Sequence, residues 1–205
     1  MGRSVSFCGV ILAAGESTRM GRDKALLPWP PQPAGGGTFL SAAIRLFSPH
    51  VDVVLVIAGK NAEVLAPVVY AEGASLVENP DPARGQFSSL QTGLQEVLNR
   101  GRDAAIVTLV DRPPVKAETL DGLVREFERL NEHSIWAVVP EFQGKHGHPI
   151  LCGREMIEAF LRAPAGASAR DIEHAHQSHI EYVPVDDALV GANVDTPEQY
   201  AALPS

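Results

Sequence analysis

Cysteine is scarce in this chain: Cys8 and Cys152 are the only two among 205 residues. One of them sits inside an apolar run, and such a pair builds no cross-linked framework of the kind that small secreted domains use. Long apolar stretches are missing too. None approaches the roughly 20 residues that a membrane-spanning helix requires. Basic charge is in deficit, with 17 Lys and Arg against 25 Asp and Glu and a net charge of −8. No global positive field draws in nucleic acid, so any cation that handles phosphate acts locally. The N-terminus lacks the layout of a secretory signal. We therefore expect a cytoplasmic protein with no membrane and no nucleic-acid partner. A hydrophobic fraction of 45% over this length fits one domain, residues 1–205, with a full core.

The two common phosphate-loop patterns are also absent. The apolar run Val10-Ile11-Leu12 leads into Ala13-Ala14-Gly15-Glu16-Ser17-Thr18-Arg19-Met20-Gly21-Arg22-Asp23-Lys24. A Walker A loop needs four residues between its glycines and then Gly-Lys-Ser/Thr. Here five residues separate Gly15 from Gly21, and Arg22 follows. The dinucleotide fingerprint fails as well, because Glu16 and Ser17 follow Gly15. What remains is a loop of small residues whose backbone N–H groups can approach phosphate oxygens. Arg19 adds a planar fork of donors and Lys24 a compact charge.

Along the chain, short β-branched runs alternate with amphipathic segments. Strands are expected at Val5–Leu12, Val51–Ile57, Ala74–Val77, Ala104–Val110, Ile135–Val139 and Ile180–Val183, with a short one starting at Pro149. Helices are expected at Phe39–Phe47 behind the cap Thr38, Phe87–Leu98, Leu120–Leu130, Arg154–Leu161, Ser168–His176 and Pro197–Leu203. A weaker helix at Ala62–Tyr70 contains Pro67, which removes a backbone donor. This alternation predicts a three-layer α/β/α, Rossmann-like architecture with a mostly parallel sheet. Pro28–Gly37 reads as an exposed loop, either a flap over the phosphate loop or a plain insertion.

In open parallel sheets, ligands gather beyond the carboxyl ends of the strands. The segments that fall there are Ala13–Lys24, Asn79–Ser89, Asp111–Pro114 and Gly144–Pro149, with Asn193–Thr196 as a fifth candidate. Asp111 ends the most apolar strand. It either starts a turn before Pro113-Pro114 or holds Mg²⁺ for phosphate chemistry. Ser88 and Ser89 either cap a helix or offer hydroxyls to a base edge. Gly147-His148-Pro149 reads as a turn when taken alone. His174, His176 and His179 have spacings that do not put three ligands on one helix face.

The pattern Leu12-Ala13-Ala14-Gly15-x-Ser17-x-Arg19-Met20-Gly21-x-x-Lys24 resembles the signature of the nucleotidyltransferases. Within them it is similar to the molybdenum cofactor cytidylyltransferase branch. Four further segments carry the likeness in order. Gly85-x-x-Ser88-Ser89-Leu90-x-x-Gly93 resembles the segment that recognises the nucleobase, and Asp111-Arg112-Pro113 an Asp-x-Pro motif. Gly147-His148-Pro149-Ile150 resembles an acceptor-side motif, and Asp195-Thr196-Pro197-Glu198 an Asp-Thr-Pro-Glu motif. The resemblance implies a nucleotidyltransferase fold and transfer of a nucleotidyl group from an NTP to a phosphate-bearing acceptor, with pyrophosphate released. It implies that Leu12, Ala13, Ala14, Gly15, Arg19, Lys24, Gly85, Ser88 and Ser89 bind the nucleotide. Asp111 and Asp195 would hold Mg²⁺, and Arg19, Lys24 and Asp111 would be catalytic. Gly147, His148 and Pro149 would meet the acceptor. Asp195 also reads as an N-cap of the last helix. Ala14 with Ser89-Leu90 favours CTP, and the branch implies molybdopterin as acceptor and a molybdenum hydroxylase as downstream partner. Two departures stand out. Asn193 replaces a frequent Asp, and His146 replaces a frequent Arg, with Lys145 beside it to supply charge. A sugar 1-phosphate acceptor, and a non-catalytic carrier of nucleotide or pterin, are the competing expectations.

Overall fold

The structure, a computed structural model, describes residues 5–15, 23–31, 36–130, 134–164 and 166–203. Six consecutive buried residues, Phe7–Leu12, form β1. Side chains alternate across a strand, and β1 thereby divides the interior. Phe7 and Ile11 enter one apolar cluster, while Cys8, Val10 and Leu12 enter the other. β1 pairs in parallel with both β2 (Val53–Ala58) and β4 (Ala104–Leu109), and β3 (Ser75–Glu78) pairs in parallel with β2. β1, β2 and β4 are buried on both faces, so their sequences are almost continuously apolar, whereas β3 is a half-exposed edge strand.

Helices cover both faces. α1 (Phe39–Phe47), α2 (Ala62–Ala71) and α4 (Ala117–Leu130) seal the first cluster through Ile44, Phe47, Leu65, Leu123 and Phe127. α3 (Gln86–Asn99) and α5 (Arg154–Arg162) seal the second through Leu90, Leu94, Val97, Ile157 and Phe160. Each such side chain, fully buried, contributes about 1.5–3 kcal/mol. The result is the expected α/β/α layering around a mostly parallel sheet. Thr38 caps α1 as anticipated, in a capping box with Ser41. α2 runs its full length through Pro67. Its buried anchors Ala62, Leu65 and Val69 offset the missing donor.

The second half of the sheet departs from the parallel pattern. β5 (Ala137–Phe142) turns back into β6 (Lys145–His146) over Gln143 and Gly144, both at positive φ. Such a two-residue loop matches the right-handed twist of a hairpin. β7 (Ile150–Gly153) then inserts antiparallel between β4 and β5, and β8 (Ile180–Pro184) runs parallel to β5. The order is β3-β2-β1-β4-β7-β5-β6, with β8 on β5. α6 (Ala169–Ala175) and α7 (Pro197–Ala201) complete the fold. Among the described residues, no helix is long and apolar enough to cross a membrane.

Pro28, Pro30, Gly36 and Gly37 are exposed, as expected for this loop, while Trp29 and Pro31 are half-buried; residues 32–35 lie outside the described set. The Trp29 N–H donates to the Gly37 carbonyl at 3.0 Å, and the Trp29 ring packs on Phe39 at 5.2 Å between centroids.

Candidate active site at the carboxyl edge of the sheet

A cavity of about 760 Å³ opens beyond the ends of β1 and β4. Leu12, Ala14 and Gly15 line one side of it, Gly85 and Ser89 another, and Lys24, Asp111 and Asp195 a third. Segments far apart in sequence therefore meet at one sheet edge, as the open-sheet rule requires. Arg19 lies outside the described residues, as do all positions from 16 to 22.

The meeting of Asp111 and Asp195 has a traceable cause. The Val194 N–H donates to the Asp111 carbonyl at 3.0 Å, which stitches the C-terminal segment to the end of β4. Arg112 extends over the same segment, its Nη1 donating to the Ala192 carbonyl at 2.9 Å. Val194 is buried with Leu27 and Phe39 in a small third cluster that Trp29 and Tyr200 cover. The Tyr200 hydroxyl donates to the Pro28 carbonyl at 2.8 Å. This packing brings the residues after Lys24 against those around Asp195. Thr196 and Gln199 form the capping box of α7, so Thr196 takes the capping role considered for Asp195. The Asp195 carboxylate is left for the cavity.

Lys24 occupies the centre. Its Nζ lies 2.7 Å from Asp195 Oδ1 and 3.5 Å from Asp111 Oδ2, with only 11% of the side chain exposed. Asn193 donates its amide to the other oxygen of Asp195. Asp111 Oδ1 is buried and has no hydrogen-bond partner among the described residues. A half-desolvated carboxylate with an open coordination position, beside a second carboxylate, is a donor set that suits a hard divalent cation. The ammonium between the two is a monovalent cation seated in the same negative field.

The first loop is held at both ends by a residue that the sequence analysis missed. Asn61 Nδ2 donates to the Ala13 carbonyl at 2.9 Å and to Asp23 Oδ2 at 2.6 Å. Asp23 Oδ1 in turn accepts from the Ala25 N–H and fixes the turn that carries Lys24. Ala13 itself is buried and faces the core rather than the cavity. Lys60 and Arg112 also line the cavity and went unremarked as site residues. No spacing rule marks a single Lys or Asn after a strand.

On the opposite wall, Gly85 starts α3 at φ +89°, a left-handed conformation that favours glycine. Ser88 and Ser89 separate in role. Ser88 Oγ is buried, accepts from Asn79 Nδ2 at 2.9 Å and donates to the Gly85 carbonyl at 2.8 Å. These bonds secure the turn, and Ser88 is not among the residues that line the cavity. Ser89 Oγ accepts from Asn79 at 2.9 Å while lining the cavity, which leaves its O–H to donate inward.

The acceptor-side segment is also divided. Gly147 donates to the Pro140 carbonyl, and His148 N–H donates to the Val190 carbonyl, both at 2.9 Å. Gly147 and Pro149 are buried and line neither cavity, so they shape the wall and do not offer contacts of their own. Only His148 reaches a cavity, a smaller one of about 260 Å³. Burial, with Arg112 nearby, pushes its imidazole down to about 3, so it is neutral at physiological pH. His146 stacks on Tyr182 with centroids 3.8 Å apart and faces Glu141 at 3.2 Å. Neither it nor Lys145 reaches the main cavity, whose extra charge comes from Lys60 and Arg112 instead. His176 and His179 pack on Trp136. Cys8 and Cys152 are buried and free, and burial pushes the Cys8 thiol up to about 11.

Residues 9–180 match the family described as MobA-like NTP transferase domain. The chain is 29% identical over 206 residues to a probable molybdenum cofactor guanylyltransferase of Mycobacterium avium (strain 104), covering 99% of this chain and 98% of that protein. It is 25% identical to the molybdenum cofactor cytidylyltransferase of Escherichia coli (strain K12), covering 93% and 92%. Among solved structures, a Mycobacterium tuberculosis H37Rv protein in complex with manganese superposes with a TM-score of 0.73. That pair is 24% identical, with 96% and 97% of the two chains covered.

Proposed function

Because the chain belongs to the MobA-like NTP transferase domain family and is a nucleotidyltransferase, we propose that it transfers CMP from CTP to the phosphate of molybdopterin, as a single domain over residues 1–205. The observation that carries this reading is the convergence of Lys24, Asp111 and Asp195 beside the first loop, in one cavity with Ser89 and Gly85. A phosphate oxygen of the acceptor attacks the α-phosphorus. The bond from that phosphorus to the bridging oxygen breaks, and pyrophosphate leaves. The attacking phosphate is already ionised near pH 7, so no protein general base is required. Catalysis rests on positioning and on charge stabilisation. Lys24 and Arg19 grip the triphosphate, and Lys60 and Arg112 add positive charge on the same wall. Asp111 and Asp195 would hold Mg²⁺, whose chemistry is to neutralise phosphate charge at the reacting centre. Backbone of the Leu12–Gly15 segment and the Ser89 hydroxyl meet the base, while Ser88 and Asn79 keep the α3 turn in place.

The choice of CTP rests on Ala14 and Ser89-Leu90. GTP is the second reading, favoured by the guanylyltransferase names of several relatives. Pyrophosphate release with each of the four NTPs, and with molybdopterin or a sugar 1-phosphate as acceptor, decides among them. We expect CTP with molybdopterin to give the highest rate. We expect Asp111→Asn to lower it on the order of 10²–10³-fold, as loss of one preorganised electrostatic contact does. Near-full turnover of Asp111→Asn, or tight nucleotide binding with no pyrophosphate release, would overturn the catalytic reading. The latter result would make the chain a carrier.

A further inference from the structure

The smaller cavity lies under the main one, on the α3 and α5 face of the sheet. The two share Leu12, Gln86 and Leu109, so the smaller opens onto the reaction space. Its walls are Phe87, Leu90, Ile150 and Phe160, with the rings of Phe87 and Phe160 edge to face at 6.2 Å. At about 260 Å³ it falls just below the usual range of small-molecule sites. It admits one ring system and not a whole nucleotide.

Gln86, Ser168, Arg170, His148 and Glu173 add polar groups to this mostly apolar slot. His148 lines it, held neutral and with Nδ1 buried and without a hydrogen-bond partner among the described residues. Glu173, on α6, lines it from the other side next to Arg170. Burial raises the Glu173 carboxyl above its ordinary range, partly offset by Arg170. Glu173 in turn adds to the upward push on the Cys152 thiol, which burial dominates, and Cys152 lines the same cavity. A carboxylate reaching into an apolar pocket is costly unless a ligand supplies donors.

We propose that this second cavity seats the fused heterocycle of the acceptor, and that the Glu173 carboxylate reads its 2-amino-4-oxo-pyrimidine edge. The placement rests on the function proposed above. That edge presents two parallel N–H donors, and a carboxylate accepts two such donors as it accepts the fork of an Arg. The ring faces meet Phe87, Leu90 and Phe160. Cytosine presents one donor beside two acceptors and does not match a carboxylate. Guanine carries the same edge as a pterin, so GTP belongs in the test.

The probe is unsubstituted pterin, titrated by calorimetry into the full chain alone and with saturating CTP or GTP. Saturable pterin binding that persists with either nucleotide is expected. Glu173→Gln should weaken pterin roughly 10- to 100-fold, the loss of a charge-assisted pair, with CTP affinity and melting temperature retained. Ala169→Trp, which places an indole at the rim, should abolish pterin binding with CTP affinity retained. Absence of pterin binding, indifference to both variants, or displacement by GTP would overturn the placement; displacement would make the slot a guanine pocket. Pyrophosphate release driven by a sugar phosphate and not by molybdopterin would refute the proposed function on separate grounds, since the pterin titration does not depend on turnover.

Discussion

The Lys24 ammonium stands between two carboxylates that come from positions 111 and 195, and each of the three is mostly shielded from water. Removing one member of such a set leaves the others poorly compensated, and that loss exceeds the net worth of the pairing. Lys24→Met removes the ammonium that lies between Asp111 and Asp195. We expect it to cost roughly 1–3 kcal/mol, reduced from the fully buried case because about a quarter of each carboxylate is exposed. Mg²⁺ or Mn²⁺ should then stabilise the variant more than the parent, since a cation that binds only the folded chain raises stability by mass action. Thermal melts of both proteins across a divalent-cation series check this. An equal or smaller gain in Lys24→Met would show that the two carboxylates do not form a cation seat. Asn61 acts at the same scale through geometry: its one amide group ties Ala13 to Asp23 and so sets the span of the loop between them.

Between elements, the decisive contacts are made by short connectors. The segment 188–191 is anchored by the buried carboxylate of Asp187, which accepts from the Lys116 N–H at 2.8 Å, Thr119 Oγ1 at 2.9 Å and the Leu189 N–H at 3.0 Å. Val190 then receives the His148 N–H, and a Cβ on Gly147 would sit 1.9 Å from the Val190 carbonyl oxygen. No neighbouring side chain can yield there, because the obstacle is backbone. Gly147→Ala should therefore part β6 from this segment, at a cost of roughly 2–4 kcal/mol, in the upper range for single changes, and displace His148. Denaturant melts measure the first effect and pterin titration the second. The long elements were legible from sequence because their apolar periodicity is strong: α1 spans the expected residues, and β1, β4 and α3 differ from expectation by a residue or two at their ends. β6 and the antiparallel insertion of β7 were not, since Lys145 and His146 have no apolar alternation and a hairpin partner is chosen by tertiary pairing. Asp111, Asp195 and Lys24 were found through motif order, whereas Asn61 and Lys60 are single polar residues on an ordinary connector and Glu173 a single acid on α6, with no pattern to announce them.

At the scale of the whole molecule, an acidic chain concentrates Lys24, Lys60 and Arg112 in one cavity at the carboxyl edge of its sheet. Local field and not net charge then governs phosphate binding, and the same arrangement shapes acid stability. Burial, with a smaller contribution from Arg112, holds His148 down at about 3 in the folded chain, against an ordinary value near 6.5. Between those two values the unfolded chain binds a proton at this position and the folded chain does not. Stability conferred by the neutral imidazole is therefore fully present above about pH 6.5 and is lost as pH falls toward 3, with a slope of at most about 1.4 kcal/mol per pH unit. Carboxylates also contribute to acid unfolding, so the comparison is with His148→Gln, in which they are unchanged. Denaturant unfolding at steps from pH 7 to pH 4 should show the parent losing stability faster than the variant as the pH drops, with the two curves diverging from about pH 6.5 downward. Parallel curves would mean that the folded protein protonates His148 as readily as the unfolded chain does. In that case the lining of the smaller cavity is hydrated at His148, and the imidazole is not held neutral there.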